Sequence, residues 1–334
     1  MSIVSSLSNI NKKLIWAILF GVAVVAAITF AADFENTVSA LRTFKVMYLP
    51  LILGLTFVNY LLRFVKWHFF LKLIDVSISL KDSFIIFLSG LAMTITPGKA
   101  GELLKSLLLK ELKGVAVSRT APVVFAERLS DGFGLIVLSL TGVALFKHGG
   151  AALLAIALLL AGMLVVIKVP VLYRPCLQLC SKIPVVKGFT GVIENLLDSA
   201  DRLMTMKSLF FTIAISIISW SFESVAFYFV FKGLGFNVSI LMATFTLAFS
   251  SIIAAVSMLP GGLGAAEGSI MGLLVKLGQV PAGIAAGATI LIRFCTLWFG
   301  VAVGLLAIFS NRKLFSLVSN MTSSGREKKA VLSE

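Results

Sequence analysis

Six apolar runs, at about 14–32, 46–62, 120–146, 151–167, 209–231 and 282–310, each hold seventeen or more residues. A helix rises about 1.5 Å per residue, so about 20 residues cross the roughly 30 Å of hydrocarbon in a bilayer. There, every backbone N–H and C=O must be bonded inside the protein, which favours helices for runs this long and apolar. The chain is 59% hydrophobic with a mean hydropathy of +1.04, beyond what a soluble surface tolerates. The expected fold class is therefore an all-α polytopic membrane protein with about six full transmembrane helices. Two further apolar runs, 83–96 and 240–258, stop at Pro97-Gly98 and at Pro260-Gly261-Gly262. The first is too short to cross, so both are expected to form re-entrant hairpins. Lys12 and Lys13 before the first run, and Thr29-Phe30-Ala31 within it, imitate a secretory signal. The run is longer than a typical signal core, which favours a span.

Charge orients the chain. With a cytoplasmic N-terminus and two re-entrant hairpins, the inner face receives Lys66, Lys72, Lys81, Lys105, Lys110, Lys113, Arg119, Arg202 and the cluster at 326–329, among others. The outer face keeps Arg42, Lys45, Lys147, Lys232 and Lys276. This excess follows the positive-inside rule, places both termini in the cytoplasm, and assigns the net charge of +14 mainly to one membrane face. Such a face suits anionic headgroups rather than nucleic acid. Cys176 and Cys180 lack a second cysteine or histidine cluster, and His68 and His148 are the two histidines. Neither a metal site nor a cofactor is expected.

The chain repeats itself. Val76-Ser77-Ile78 precedes Pro97-Gly98 by 21 residues, and Val238-Ser239-Ile240 precedes Pro260-Gly261 by 22. PGKAGE at 97–102 resembles PGGLGAAE at 260–267, so Gly101 answers Gly264 and Glu102 answers Glu267. From Glu102 to Arg128 is 26 residues, and from Glu267 to Arg293 is again 26. Two copies, about 46–146 and 209–310, each hold a span, a Pro-Gly-broken hairpin and a span bearing an arginine. One copy starts outside and the other inside, so they form an inverted-topology repeat, as in transporters whose halves exchange access to a central site. The expected organisation is one transmembrane domain over 1–312. A span and a cytoplasmic amphipathic segment over 147–208 join the copies, and a basic disordered tail follows at 313–334.

Pro97, Gly98, Pro260, Gly261 and Gly262 free backbone groups that hydrocarbon penalises, so the breaks should line a cavity. The helix restarting after the first break aims its amides and positive dipole end at the break, beside Lys99, an arrangement that favours an anion. Arg128 cannot shed its charge and must pair or face water. Glu102 and Asp131 are its expected acid partners, with Glu127 on an adjoining face, and Glu267 is the expected partner of Arg293. These charges either brace the hairpins or meet a substrate or coupling ion. Arg63 and Lys66, with Trp67, read either as an interfacial anchor or as a headgroup contact. Glu223 is either paired with an arginine across the bundle or a proton-carrying site. Val192, Leu196, Ser199 and Leu203 recur on one side of the joining segment, which suggests a helix on the cytoplasmic surface.

At TPGKAGELLKS, AERLSDGFG and LPGGLGAAEGS the chain resembles the lysylphosphatidylglycerol synthase transmembrane-region family, flippase-like membrane proteins, over about residues 10–312. The resemblance implies a lipid-translocating domain, found alone or fused to a soluble domain that aminoacylates phosphatidylglycerol. It carries over Pro97, Gly98, Lys99, Gly101, Glu102, Glu127, Arg128, Asp131, Pro260, Gly261, Gly262, Gly264 and Glu267. No synthase domain is recognisable in this sequence, so that chemistry is not carried over. Some relatives accompany polyprenyl-phosphate glycosyltransferases, which widens the lipid class.

The expected function is a flippase for an anionic phospholipid or polyprenyl-phosphate-linked lipid, with Lys99, Arg128 and Arg293 holding phosphate and Arg63 and Lys66 as further headgroup contacts. The main alternative is a non-transporting subunit that presents lipid to a partner synthase or glycosyltransferase. A soluble-solute transporter fits less well, given the few polar residues on most spans. Glu127 and Asp131 could act as general acid and base, but no nucleophile, metal set or nucleotide loop accompanies them, so an enzyme is not expected.

Overall fold

The computed structural model describes residues 34–96, 101–146, 150–169, 171, 184–311 and 316–317. The run 14–32, the break residues Pro97, Gly98 and Lys99, and most of the tail lie outside these residues. Every regular element among the described residues is a helix. Val46–Leu73, Gly150–Lys168, Met206–Gly233 and Ala282–Ser310 are long and apolar enough to cross a membrane. The protein is an all-α, multi-pass membrane protein.

In chain order the helices are α1 Phe34–Thr43, α2 Leu49–Leu73, α3 Leu80–Leu91, α4 Leu104–Lys113, α5 Val117–Phe146, α6 Gly150–Lys168 and α7 Pro184–Leu203. They continue with α8 Met206–Gly233, α9 Ile240–Val256, α10 Ala265–Lys276, α11 Ala282–Arg293 and α12 Phe299–Ser310. A π-helical turn, Phe294–Trp298, joins the last two. The two repeats are α2 to α5 and α8 to α12.

Local chemistry repeats with them. The end of α2 is closed by Val76 N–H donating to Leu71 O (3.0 Å), and the end of α8 by Phe236 N–H donating to Phe231 O (3.0 Å). This closure needs a left-handed residue one position earlier, supplied by Asp75 (φ 56°) and by Gly235 (φ 71°). Ser79 then caps α3 by accepting from Asp82 N–H, and Ser239 caps α9 by accepting from Met242 N–H. Each such cap stabilises a helix start by about 1 kcal/mol.

The helices α2 and α8 pack closely and run antiparallel. Lys45 N–H at the start of α2 donates to Gly233 O at the end of α8 (2.8 Å). At the other ends Arg202, just before α8, lies 3.9 Å from Asp75, just after α2. Midway, Asn59 Nδ2 donates to Ser219 O (2.9 Å) and Ser219 Oγ donates to Asn59 O (3.3 Å). These residues are 160 apart, the same offset that relates the helix caps Ser79 and Ser239, so the structure sets Ile78-Ser79-Leu80, two residues on from Val76-Ser77-Ile78, against Val238-Ser239-Ile240. A contact between equivalent residues maps onto itself when the repeats are exchanged, so a pseudo-twofold axis passes through it.

The two ends of each hairpin lie near the same end of α2. α3 begins at the Asp75 face, and α5 starts there too, where Arg119 Nη2 donates to Ile74 O (2.5 Å). α9 begins at the Lys45 face, where the end of α10 folds back beside Met242. α3 packs on α12 and α9 on α5, so each hairpin is held by the last span of the other repeat. The apolar end of α7 (Leu203, 1% exposed) packs on protein, chiefly α5, rather than lying against a membrane surface. Lys66 and Lys105 are buried, so they do not belong to the surface bias that orients the chain. Lys72, Lys81, Lys110, Lys113, Arg119, Arg202 and Lys207 remain exposed.

With Cys176, Cys180 and Cys295 replaced, cysteines placed at exposed Ala116 and Gln279 should react with an impermeant maleimide from opposite sides, Ala116 from the cytoplasm. Labelling of both from one side would contradict the inverted arrangement.

Candidate functional site

A cavity of about 360 Å³ lies where the repeats meet. Its charged wall holds Arg63, Arg128, Asp131, Glu223 and Arg293. Tyr60 and Trp220, equivalent residues either side of the axis, lie between them. Thr94, Ser250, Ser251 and Thr296 add hydroxyl groups, and the rest is mostly apolar, chiefly from α5, α6 and α9, and includes the outward-exposed Phe125, Met163 and Val256. The cavity is charged at its centre and apolar toward the protein's periphery.

Helical spacing brings these charges in. On α2, Thr56, Asn59, Arg63 and Lys66 fall on one buried stripe, and on α8 so do Ser208, Thr212, Ser216, Ser219 and Glu223. Arg63 lies ten residues before the end of α2 and Arg128 eleven after the start of α5, each roughly 15 Å in from the Asp75 face. Glu223 and Arg293 stand at the corresponding depth from the Lys45 face.

In the half nearer the Asp75 face, Lys66 Nζ donates to Asp131 Oδ1 (2.5 Å), Ser216 Oγ (2.8 Å) and Glu127 O (3.3 Å). Lys105 Nζ donates to Glu127 Oε2 (2.6 Å) and lies 4.4 Å from the centroid of the Trp67 ring. Its stem passes Gly90, where an added Cβ would sit 2.7 Å from Lys105 Cγ. Arg128 Nη2 is 3.3 Å from Asp131 Oδ2 and 3.5 Å from Glu102 Oε2. The described part of the first break is tied by Gly101 N–H donating to Thr96 Oγ1 (2.7 Å).

In the other half, Gly261, Gly262 and Gly264 take φ of 60°, 65° and 86°, a backbone path open to residues without a side chain. Gly264 N–H donates to Glu267 Oε2 (2.7 Å), Arg293 Nε donates to Glu267 Oε1 (2.5 Å), and Arg293 Nη2 donates to Gly261 O (2.7 Å). Arg293 thus bonds the Gly261 carbonyl of the short 3-10 turn Pro260–Gly262. Tyr60 donates its hydroxyl to Thr296 O in the π-turn (2.5 Å).

The expected pairs of Arg128 with Glu102 and Asp131, and of Arg293 with Glu267, are present. The anchor reading of the basic pair on α2 fails: the helix runs on to Leu73, and Lys66 and Trp67 are fully buried. Lys66 as a headgroup contact is corrected too, because its ammonium is committed to Asp131 and Ser216. Arg63 does line the cavity. Lys99 lies outside the described residues. Sequence reasoning missed Lys105 as the partner of Glu127, Lys66 as the partner of Asp131, and Tyr60 and Trp220 as wall residues. The signal for the lysine on α2 was its place in a polar stripe on an apolar helix.

Fold and site together define an all-α, multi-pass membrane protein with a charged cavity between its helices. The chain belongs to the family described as the lysylphosphatidylglycerol synthase TM region, which matches residues 18–304. It is similar to the UPF0104 membrane protein PH1989 of Pyrococcus horikoshii, 24% identical over 325 residues, covering 89% of this chain and 97% of that one. A UPF0104 membrane protein of Methanothermobacter thermautotrophicus is 25% identical over 316 residues, covering 87% and 93%. The UPF0104 membrane protein MJ1078 of Methanocaldococcus jannaschii is 24% identical over 217 residues, covering 65% and 92%.

Asp131→Asn should lower the unfolding free energy by about 3–5 kcal/mol, because it leaves the buried Lys66 without its carboxylate. Adding Lys66→Met should recover part of that loss in detergent unfolding titrations. Strictly additive effects would contradict the pairing.

Proposed function

We propose that the protein is a carrier, not an enzyme, which moves an anionic phospholipid or polyprenyl-phosphate-linked lipid between leaflets by alternating access. On this reading it sits in the cell membrane with the Asp75 face and both termini cytoplasmic, and the two hairpins are re-entrant. One observation carries the reading: a cavity between inverted repeats that is lined by three arginines at its centre and by apolar side chains toward its rim.

A phosphate cannot enter hydrocarbon alone without a desolvation cost of several kcal/mol at least. The cavity wall offers donors against that cost. Arg63 Nε, Arg128 Nε, Trp220 Nε1 and Ser250 Oγ are buried and have no hydrogen-bond acceptor among the described residues. A phosphate oxygen is such an acceptor, and guanidinium groups pair with phosphates in a fixed fork geometry. The exposed apolar rim at Phe125, Met163 and Val256 suits hydrocarbon tails that stay in the bilayer while the headgroup crosses. Exchange of conformation between the two repeats would then present the same centre to either leaflet.

Purified protein in phosphatidylcholine liposomes should speed the transfer of fluorescent phosphatidylglycerol between leaflets. Arg128→Ala and Arg63→Ala, each removing charge-assisted contacts, should slow it by about 10–100-fold while the protein remains folded. Transfer of zwitterionic lipid alone, unaffected by these substitutions, would contradict the anion site. A folded protein that moves no lipid would favour the lipid-presenting subunit.

A further inference from the structure

The contact on the pseudo-twofold axis leaves an oxygen unmet. Ser219 O accepts from Asn59, so the amide nitrogen must face it and Asn59 Oδ1 points away. That oxygen is fully buried and has no hydrogen-bond partner among the described residues. One turn earlier on the same buried stripe of α2, the same holds for Thr56 Oγ1. Polar atoms left unmet at such depth are costly, and each calls for a ligand.

Across from them on α8, Glu223 lies one turn beyond Ser219 and is buried too (8% exposed). The two helices run antiparallel, and the Cα–Cβ bonds of a helix tilt toward its own N-terminus. Asn59, opposite Ser219, therefore leans toward the Lys45 face, while Glu223, one turn nearer that face, leans back toward Asn59. Thr56 stands near the level of Glu223 on the facing helix. An amide oxygen, a hydroxyl oxygen and a carboxylate thus converge between α2 and α8. Glu223 also lines the cavity, which gives the place an entrance. A carboxylate has two oxygens and about four acceptor sites, so Glu223 meets a ligand here while keeping its other contacts.

Repeat symmetry shows what such a place holds. Thr56 answers Ser216 and Lys66 answers Ala226, each 160 residues on. In the half nearer the Asp75 face, Ser216 Oγ accepts from the Lys66 ammonium. In the half nearer the Lys45 face the hydroxyl is kept, and the fully buried Ala226 brings no ammonium to it. Neutral oxygens with a carboxylate are hard ligands, unsuited to soft transition metals, and a single carboxylate matches a single positive charge. We propose that Thr56 Oγ1, Asn59 Oδ1 and the Glu223 carboxylate form a site for a monovalent alkali cation, Na+, where the other repeat uses the ammonium of Lys66. All three ligands belong to α2 and α8, so the site uses no residue of either hairpin. It lies near mid-depth between the repeats, where inverted-repeat carriers hold their coupling ions. The site stands without the carrier reading, and only its coupling to lipid movement rests on that reading.

The test is equilibrium binding of radioactive sodium to the purified protein in detergent, with choline as the replacing cation at constant ionic strength. The wild type should bind one Na+ per chain saturably, and Na+ should raise its thermal unfolding midpoint by about 2–4 °C over choline. Thr56→Val keeps the shape and removes the hydroxyl, so it should bind Na+ about tenfold more weakly, and Thr56→Ser should restore binding. Glu223→Gln should abolish binding, and it decides the same point should Thr56→Val not fold. A wild type without saturable Na+ binding overturns the site, whatever lipid it moves. Binding that a folded Thr56→Val and a folded Glu223→Gln leave unchanged puts Na+ elsewhere and overturns it too. In proteoliposomes the transfer of fluorescent phosphatidylglycerol should rise with Na+, and Thr56→Val should need more Na+ for the same rate. Na+ binding that Thr56→Val weakens, in a protein that moves no lipid, supports the site and overturns the carrier reading.

Discussion

An arginine cannot lose its charge at any pH a cell reaches, and hydrocarbon cannot solvate it. Arg63, Arg128 and Arg293 therefore dictate much of what surrounds them. Arg128 and Arg293 bring carboxylates with them, and each of these carboxylates ties a helix or a hairpin in place. Arg293 shows the economy of the arrangement: through Glu267 it caps α10, and through Gly261 O it satisfies the broken backbone. The pair of Lys66 and Asp131 ties α2 to α5, and Ser216 adds α8 to the same knot. Without water to satisfy these groups, the alternative to pairing is an unpaired buried charge, which is why removing one partner is so costly.

The reciprocal contact of Asn59 and Ser219 gives the two repeats a common axis at mid-depth. Around it, equivalence is structural where the backbone turns and breaks, as at Ser79 and Ser239 or Glu102 and Glu267. It lapses where charge is placed: Glu127 answers Ile292, Asp131 answers Thr296, and Arg63 answers Glu223. Symmetry supplies two interchangeable scaffolds, and the lapses give the cavity a polarity along the membrane normal.

Much of this was legible in the sequence because hydrocarbon restricts the choices so severely. Apolar length predicted four of the six expected spans among the described residues; the run 14–32 lies outside them, and 120–146, which carries Glu127, Arg128 and Asp131, is a long helix but too charged to count by apolar length alone. The constant interval from acid to arginine after the paired Pro-Gly breaks predicted two ion pairs, Arg128 with Glu102 and Arg293 with Glu267. The errors share one cause. Lys66 and Lys105 were read as interfacial or cytoplasmic because a lysine near the end of an apolar run usually lies there, and nothing local identifies a partner 65 or 22 residues away. The periodic polar stripes on α2 and α8 carried the information, since a polar face on a membrane helix turns toward protein. The helix α1 and the π-turn after Arg293 had no apolar or motif signal. Their positions depend on packing against α11 and on Tyr60 bonding Thr296 O.

The central claim is that an anionic headgroup occupies the cavity between the repeats. Its most direct test is a structure of the protein in nanodiscs rich in phosphatidylglycerol, with the phosphate located by its density. The account predicts a phosphate in contact with the Arg63 and Arg128 guanidinium groups, and hydrocarbon leaving past Phe125 and Met163. Phosphates found only around the exposed lysines of the Asp75 face, with the cavity closed over its own ion pairs, would contradict it.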